Sequence, residues 1–290
     1  MEKYIYKGIK DFNLDHIFDC GQCFRWTRQE DGSYTGIAFG RVVNMQVGGA
    51  NQDELIIDGC CEKDFYNIWH GYLDMGRDYG NIKSVLAEQD EIMTGAIAAG
   101  EGIRILKQEL WETMVSFIIS QNNNIPRIKG CIENLCRLFG ESAGEYNGTE
   151  YFNIPSPEKM AGLTVEDLAP CRLGYRAPYL IETARQVLAK GGIEAVEAEL
   201  AAMADPDQAC EYLRGFQGIG PKVASCIALF GLARLDAFPI DVWVRRVMNR
   251  LYNIEEKDVK AMSTYARDHF GENGGIAQQY LFYYIRGLEA

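Results

Sequence analysis

The sequence predicts an α+β protein, an N-terminal antiparallel β-sheet domain packed on a mostly α-helical body. Three observations predict it. Strand-like runs separated by turn signals fill the early part of the chain, and from about residue 105 the apolar spacing changes to the helical period. The chain has 290 residues, 47% of them hydrophobic, which is enough for a substantial core in one large domain or two to three smaller ones.

The elements follow in order. Phe24-Arg-Trp-Thr27 and Tyr34-Thr-Gly-Ile37 read as strands joined across the Asp31-Gly32 turn. Val42-Val-Asn-Met-Gln-Val47 and Glu54-Leu-Ile-Ile-Asp58 continue the pattern on either side of Gly48-Gly-Ala-Asn-Gln52. A covering helix fits Glu62 to His70, and residues 1–100 are expected to be mainly strands. Beyond them, Leu110, Met114, Phe117 and Ile118 form one apolar stripe, and Ile128, Ile132, Leu135, Cys136 and Phe139 another. Further helices fit Tyr179–Ala189 (stopped by Gly191-Gly192), Glu194–Met203, Lys222–Phe230, Asp241–Leu251, Asp258–Phe270 and Ile276–Ile285. Residues 101–290 are therefore expected to form an all-helical body of two lobes, with no internal repeat.

Composition excludes several classes. The N-terminal Met-Glu-Lys-Tyr-Ile-Tyr-Lys7 lacks the apolar run of a signal peptide, and no later run is long enough to span a bilayer. Nine scattered cysteines read as free thiols in a reducing compartment. Cys20-Gly-Gln-Cys23 has no second pair to complete a metal site, so it reads as two buried thiols. The net charge of −12 opposes a polyanionic partner, but a binding face needs only local positive charge. Arg127 with Lys129, Arg172 with Arg176, Lys222, and Arg245, Arg246 and Arg250 provide it, while acid gathers between Glu194 and Asp207. Weak, salt-sensitive non-specific binding to such a partner is the expectation.

The chemistry concentrates in Leu213-Arg-Gly-Phe-Gln-Gly218-Ile-Gly220-Pro-Lys222 and in Asp241, nineteen residues after the lysine. A Gly-Ile-Gly turn before a helix presents unpaired backbone N–H groups, which suit a phosphate. Pro221 fits the first helical position. A lysine next to it faces the positive end of the helix dipole, which biases its amine toward the neutral, nucleophilic form. Lys222, Cys226 and Phe230 share a face by i, i+4 spacing and are able to line a pocket. The plain alternative is a solvated first-turn lysine above a core cysteine. Asp241, between Phe238-Pro-Ile and Val-Trp-Val-Arg-Arg-Val, reads as an N-cap, and backbone donors at a cap are expected to hold its carboxylate ionised.

Gly218-Ile-Gly220-Pro-Lys222 with Asp241 resembles the helix-hairpin-helix, Gly/Pro-Asp superfamily of DNA base-excision glycosylases, with the hairpin around residues 208–230. Gly21-Gln-Cys-Phe-Arg-Trp26, Ser120-Gln-Asn-Asn-Asn-Ile-Pro-Arg-Ile128, Leu173-Gly-Tyr-Arg-Ala177 and Ala277-Gln-Gln-Tyr-Leu-Phe282 are similar to blocks of 8-oxoguanine DNA glycosylase/lyase. They stand in that family's order and span the chain from about residue 10 to its end.

The resemblance implies residue roles. Lys222 is implied to attack the anomeric carbon, expel the base and form a Schiff base that permits β-elimination; Asp241 stabilises the developing positive charge and assists proton transfers. Monofunctional relatives use water in place of the lysine, so Lys222 implies a lyase. The Gly21 carbonyl is implied to accept the N7–H that distinguishes the oxidised base from guanine. Gln278 is implied to bond the Watson–Crick edge, with Phe282 and Cys226 on the two faces of the base and Pro239 bordering the pocket. Asn122 resembles the residue that fills the vacated space and Tyr175 the wedge that kinks the partner strand. Arg127 and Arg176 resemble the pair that grips the estranged cytosine.

The sequence departs from the pattern at Trp243, where better-known members carry histidine, and at Cys23, which replaces a small hydroxyl residue. No cysteine follows Cys226, so the iron–sulfur cluster of the endonuclease-III branch is excluded. The expected partner is double-stranded DNA containing oxidised guanine, bound by a monomer in a bacterial or archaeal cytoplasm, with no membrane, metal or organic cofactor. The resemblance allows a monovalent cation on the hairpin carbonyls, against a phosphate. Two other readings are a same-fold glycosylase for another lesion, which Gly21, Gln278 and Phe282 oppose, and a non-catalytic hairpin DNA-binding module, which Lys222 with Asp241 opposes.

Overall fold

The computed structural model describes residues 2–288. Five antiparallel strands form the N-terminal sheet: β1 (Lys3–Lys7), β2 (Trp26–Arg28), β3 (Tyr34–Ala38), β4 (Arg41–Gly48) and β5 (Glu54–Asp58), in the order β1-β5-β4-β3-β2. β1 lies at an edge, with Tyr4 opposite Ile57 and Tyr6 opposite Leu55. The fold class is thus the α+β class expected. A short helix α1 (Leu14–Phe18) precedes β2.

The stretch to residue 100 is strand only as far as Asp58. After it come α2 (Glu62–Asp64), a π-helical turn (Phe65–Trp69), α3 (His70–Tyr72), α4 (Tyr79–Gln89) and α5 (Glu91–Ala99). The expectation of a mainly stranded first hundred residues is corrected here. Asp78 and Asp90 cap α4 and α5 through their side chains. The helical turn over Phe65, Trp69 and Tyr72 covers the sheet, burying Trp26, Tyr34, Met45, Leu55 and Ile57 beneath it. Trp26 stacks on Phe18 at 4.2 Å between centroids, and its indole N–H donates to the Tyr72 hydroxyl at 2.7 Å.

The body is built around α6 (Leu110–Ser120), in which nine residues of eleven are buried. A helix apolar on all sides must lie centrally. Packed around it are α7 (Ile125–Phe139), α9 (Ala177–Ala189), α10 (Ile193–Ala201) and α12 (Pro221–Gly231). A hairpin of β6 (Ser142–Tyr146) and β7 (Thr149–Phe152), followed by α8 (Pro157–Ala161), interrupts the body, so it is not all-helical as expected. The polar, half-exposed hairpin lacks the apolar alternation that marks a strand. α11 (Pro206–Arg214) leads through the hairpin turn into α12, and α13 (Val242–Tyr252), α14 (Val259–Phe270) and α15 (Gly274–Leu288) complete the chain. Among the described residues no helix is long and apolar enough to cross a membrane.

A buried ion pair joins the two parts. Arg25, at the entry to β2, lies 3.6 Å from the Glu112 carboxylate on α6 and also donates to the Phe152 carbonyl of β7. Burial pushes the Glu112 carboxyl up to about 7, reinforced by Glu109 and opposed by Arg25. Between its ordinary value of 4.5 and about 7, the folded state holds a proton that the unfolded state has lost. This group's contribution to stability therefore falls as pH rises through that window and is constant above it. Glu112→Gln removes the slope, which amounts to at most about 1.4 kcal/mol per pH unit. Urea unfolding of both proteins from pH 4.5 to 8 measures it; parallel stability curves would refute the assignment.

Candidate active site

A cavity of about 460 Å³ opens between α12, the start of α13, α15 and the loop after α1. Lys222, Cys226, Pro239, Asp241, Gln278 and Phe282 line it together with Gly21. Residues from both ends of the chain and from its middle therefore converge on one space.

Lys222 is the second residue of α12, after Pro221, and Gly220 at the N-cap supplies no side-chain cap. First-turn N–H groups thus face outward without a side-chain acceptor, as a phosphate grip requires. The turn before them is held firmly. Gly218 sits at φ +81°, where a side chain is strained, and a β-carbon there would lie 2.6 Å from the Tyr179 ring. Its carbonyl accepts from Gln121 Nε2 at 2.9 Å, and the Gln217 carbonyl accepts from Thr183 at 2.8 Å. The Lys222 ammonium lies 5.2 Å from the centroid of Phe117, at the cavity wall.

Asp241 is the N-cap of α13, accepting from the Val244 N–H at 2.8 Å. The cap alone, however, does not decide its charge. Burial pushes the carboxyl above its ordinary value, against the lowering effects of the Val244 and Trp243 backbone donors and the charges of Lys222 and Arg286. The cap donors therefore do not by themselves set its proton affinity, because desolvation outweighs them. Cys226 is buried one turn beyond Lys222, and burial likewise raises its thiol, opposed by Lys222. A neutral thiol offers a packing surface rather than a nucleophile.

Gln278 is almost fully buried, and its Oε1 has no hydrogen-bond partner. An unpaired buried acceptor is costly unless a ligand's donor completes it. Phe282 lies one turn further along α15. Gly21, at φ +80°, is so close to it that a β-carbon would come 3.2 Å from the ring. Trp243 also lines the cavity, with the Arg246 guanidinium 4.9 Å from its ring centroid.

The other candidates lie outside the cavity, around the start of α7. Asn122 is exposed at φ +46°, and Arg127 is exposed in the first turn of that helix. Tyr175 is half-exposed, and the Arg176 guanidinium lies 4.5 Å from its ring centroid. Arg176 itself is buried. It donates to the carbonyls of Gln121 (Nε, 2.9 Å), Asn122 (3.0 Å) and Leu173 (3.1 Å), so its donors hold the loop of residues 121–122.

Sequence reasoning missed Gln121 and Arg286. Gln121 links hairpin to loop: its side chain bonds Gly218, and its carbonyl accepts from Arg176 and from the Tyr175 hydroxyl at 3.2 Å. Arg286 lines the cavity four residues after Phe282, a spacing visible in the sequence. Cys20 and Cys23 are fully buried, and burial raises the Cys20 thiol to about 12. Among the described residues no group of three or more His, Cys, Asp or Glu side chains could hold a metal ion.

Comparison with known proteins places this geometry. A family model described as "8-oxoguanine DNA glycosylase, N-terminal domain" matches residues 4–114, and one described as "HhH-GPD superfamily base excision DNA repair protein" matches residues 115–270. The 8-oxoguanine glycosylase/lyase of Clostridium acetobutylicum, solved with double-stranded DNA containing cytosine opposite 8-oxoG, is 40% identical with a TM-score of 0.92. That alignment covers 100% of this chain and 98% of the other. MBOgg1, solved with a low-affinity DNA ligand, is 45% identical with a TM-score of 0.92, covering 99% and 96% of the two chains. The N-glycosylase/DNA lyase of Saccharomyces cerevisiae is 40% identical over 260 residues, covering 83% of this chain and 68% of that protein.

Replacing Asp241 separates its two physical roles. Asn caps a helix as well as Asp, and Asp241→Asn removes a carboxyl group whose charged form is penalised by desolvation. Its melting temperature at pH 7.5 is expected to equal or exceed that of wild type, whereas Asp241→Ala loses the cap, about 1 kcal/mol. Differential scanning fluorimetry distinguishes them; equal losses in both variants would count against the burial cost.

Proposed function

This chain belongs to the 8-oxoguanine DNA glycosylase family of the helix-hairpin-helix base-excision repair superfamily, and from that premise we propose that Lys222 and Asp241 carry out its glycosylase and lyase chemistry. The protein is an N-glycosylase/DNA lyase that excises 8-oxoguanine from double-stranded DNA. One observation carries the residue assignment: a single cavity holds an amine, a half-buried carboxyl group and an unpaired buried acceptor.

In the proposed sequence the Lys222 amine attacks C1′, the C1′–N9 bond breaks, and the base leaves with the bonding electron pair and takes up a proton. Asp241 opposes the positive charge developing on the sugar. Lys222 then forms an imine as the sugar ring opens. The imine acidifies C2′–H; loss of that proton expels the 3′ phosphate and cuts the strand. The raised affinity of Asp241 for a proton suits a group that must also accept and return one.

The base is proposed to stack between Phe282 and Cys226 beside Pro239, with its Watson–Crick edge on Gln278 and its N7–H on the Gly21 carbonyl. Unmodified guanine would set a lone pair against that carbonyl. Asn122 and Tyr175 enter the duplex, and the hairpin N–H groups after Gly218 and Gly220 hold a phosphate. Arg127 is proposed to meet the O2 and N3 acceptors of the estranged cytosine, joined by Arg176 once it exchanges its loop bonds for the base. The hairpin carbonyls of Phe216, Gln217 and Gly218 each accept one bond within the protein, which leaves each a second lone pair for a monovalent cation. No step requires that cation, and we propose that the protein acts as a monomer.

Borohydride trapping on an oligonucleotide with one 8-oxoguanine opposite cytosine tests the mechanism. Wild type is expected to cross-link and Lys222→Gln to lose the product. A cross-link of undiminished yield from the variant would sink the lysine assignment.

Arg127→Ala is expected to lessen the preference for cytosine opposite the lesion by about 1–3 kcal/mol, the worth of one base-reading contact. Single-turnover excision opposite each of the four bases measures it, and an unchanged ratio of rates would exclude Arg127 from opposite-base reading.

A further inference from the structure

The helix that lines the cavity also grips the loop facing it. On α15, Gln278, Gln279, Phe282 and Arg286 border the cavity, and Gln279 and Arg286, seven residues apart, also reach the loop of residues 19–21. Gln279 is almost fully buried, and its Nε2 donates toward the Cys20 carbonyl (3.4 Å) and the Cys20 Sγ (3.2 Å). Arg286 Nη1 donates to the Asp19 carbonyl at 3.2 Å, and its guanidinium carbon stands 5.4 Å from the Phe282 centroid. The loop and the ring are already in contact at Gly21, where a β-carbon would come 3.2 Å from Phe282 Cε1.

We propose that Gln279 and Arg286 are positioning residues for lesion discrimination, tying the backbone on the N-terminal side of Gly21 to the helix that presents Phe282 and Gln278. The inference rests on the reading of Gly21 as the acceptor of N7–H. One hydrogen separates the lesion from guanine at that position, so the carbonyl must stand at a fixed distance from the plane set by the Phe282 ring. A displacement of about 1 Å is enough to lose such a contact. Because both restraints originate on α15, the plane and the acceptor move together. The Gln279 amide is spent on Cys20, so strand cleavage at a site with no base does not depend on the register that it maintains, whereas the Arg286 charge also acts on Asp241.

The test compares two rates for each protein under single-turnover conditions: excision of 8-oxoguanine opposite cytosine, and strand cleavage at a preformed abasic site. Gln279→Met keeps volume and removes the donor; Arg286→Met does the same on a half-exposed side chain whose loss does not open the core. The ratio of excision to abasic cleavage is expected to fall about tenfold in each, with Arg286→Lys recovering part of the loss because it retains a cationic donor. A ratio within about twofold of wild type in both Met variants, or equal losses in the two rates of Gln279→Met, overturns the proposal. Wild type that cleaves abasic DNA but does not excise 8-oxoguanine would instead overturn the reading of Gly21 itself.

Discussion

Gln22 is fully buried, and its side-chain amide donates to the carbonyls of Ile17 and Arg104 while accepting from the Leu106 N–H. Its own carbonyl accepts from Gln108, whose backbone N–H bonds in turn to the Phe230 carbonyl at the end of α12. This chain of bonds runs from the loop beside Gly21 to the helix that carries Lys222. The cavity exists only while those two segments stay in register. A buried amide has no solvent to fall back on, so each of these bonds must form with its intended partner. The Arg104 guanidinium extends the lock by donating to the carbonyls of Lys10, Asp11, Leu73, Asp74 and Arg77.

Around that lock, the site accepts unfavourable electrostatics. Asp241 is capped and faces cations, yet burial dominates its ionisation; Gln278 keeps an acceptor without a partner. Such features lower stability and fit a cavity completed by its substrate rather than by itself. The surrounding packing offsets the cost. The body has an extensive buried core centred on α6, and the sheet has its own core around Trp26 and Trp69.

Much of the site was legible because family blocks coincide with local structural signals. Pro221 after a glycine turn, Asp241 before an apolar helix, and Gln278 and Phe282 one turn apart are short-range patterns with direct physical consequences. Misses arose where meaning depended on distant partners. β1 is five residues long and is stabilised by pairing with β5. The covering helix from Glu62 was legible, but α4 and α5, between Tyr79 and Ala99, carry weak periodicity. Gln121 is one polar residue in a polar loop, and its importance appears only when its amide meets Gly218 and its carbonyl meets Arg176.

The sequence by itself determined the α+β class, the hairpin with its lysine, the capping aspartate and the residues at both ends that point to an oxidised purine. These rest on interactions spanning a few residues, or on blocks in a recognised order, and local chemistry is enough to state them. Only the tertiary structure decided that Arg176 spends its donors on the loop of residues 121–122, that burial rather than the cap governs Asp241, and that α15 holds the Gly21 loop. Desolvation and long-range hydrogen bonding sum over segments as much as 267 residues apart, as between Arg286 and Asp19. No local pattern contains that sum.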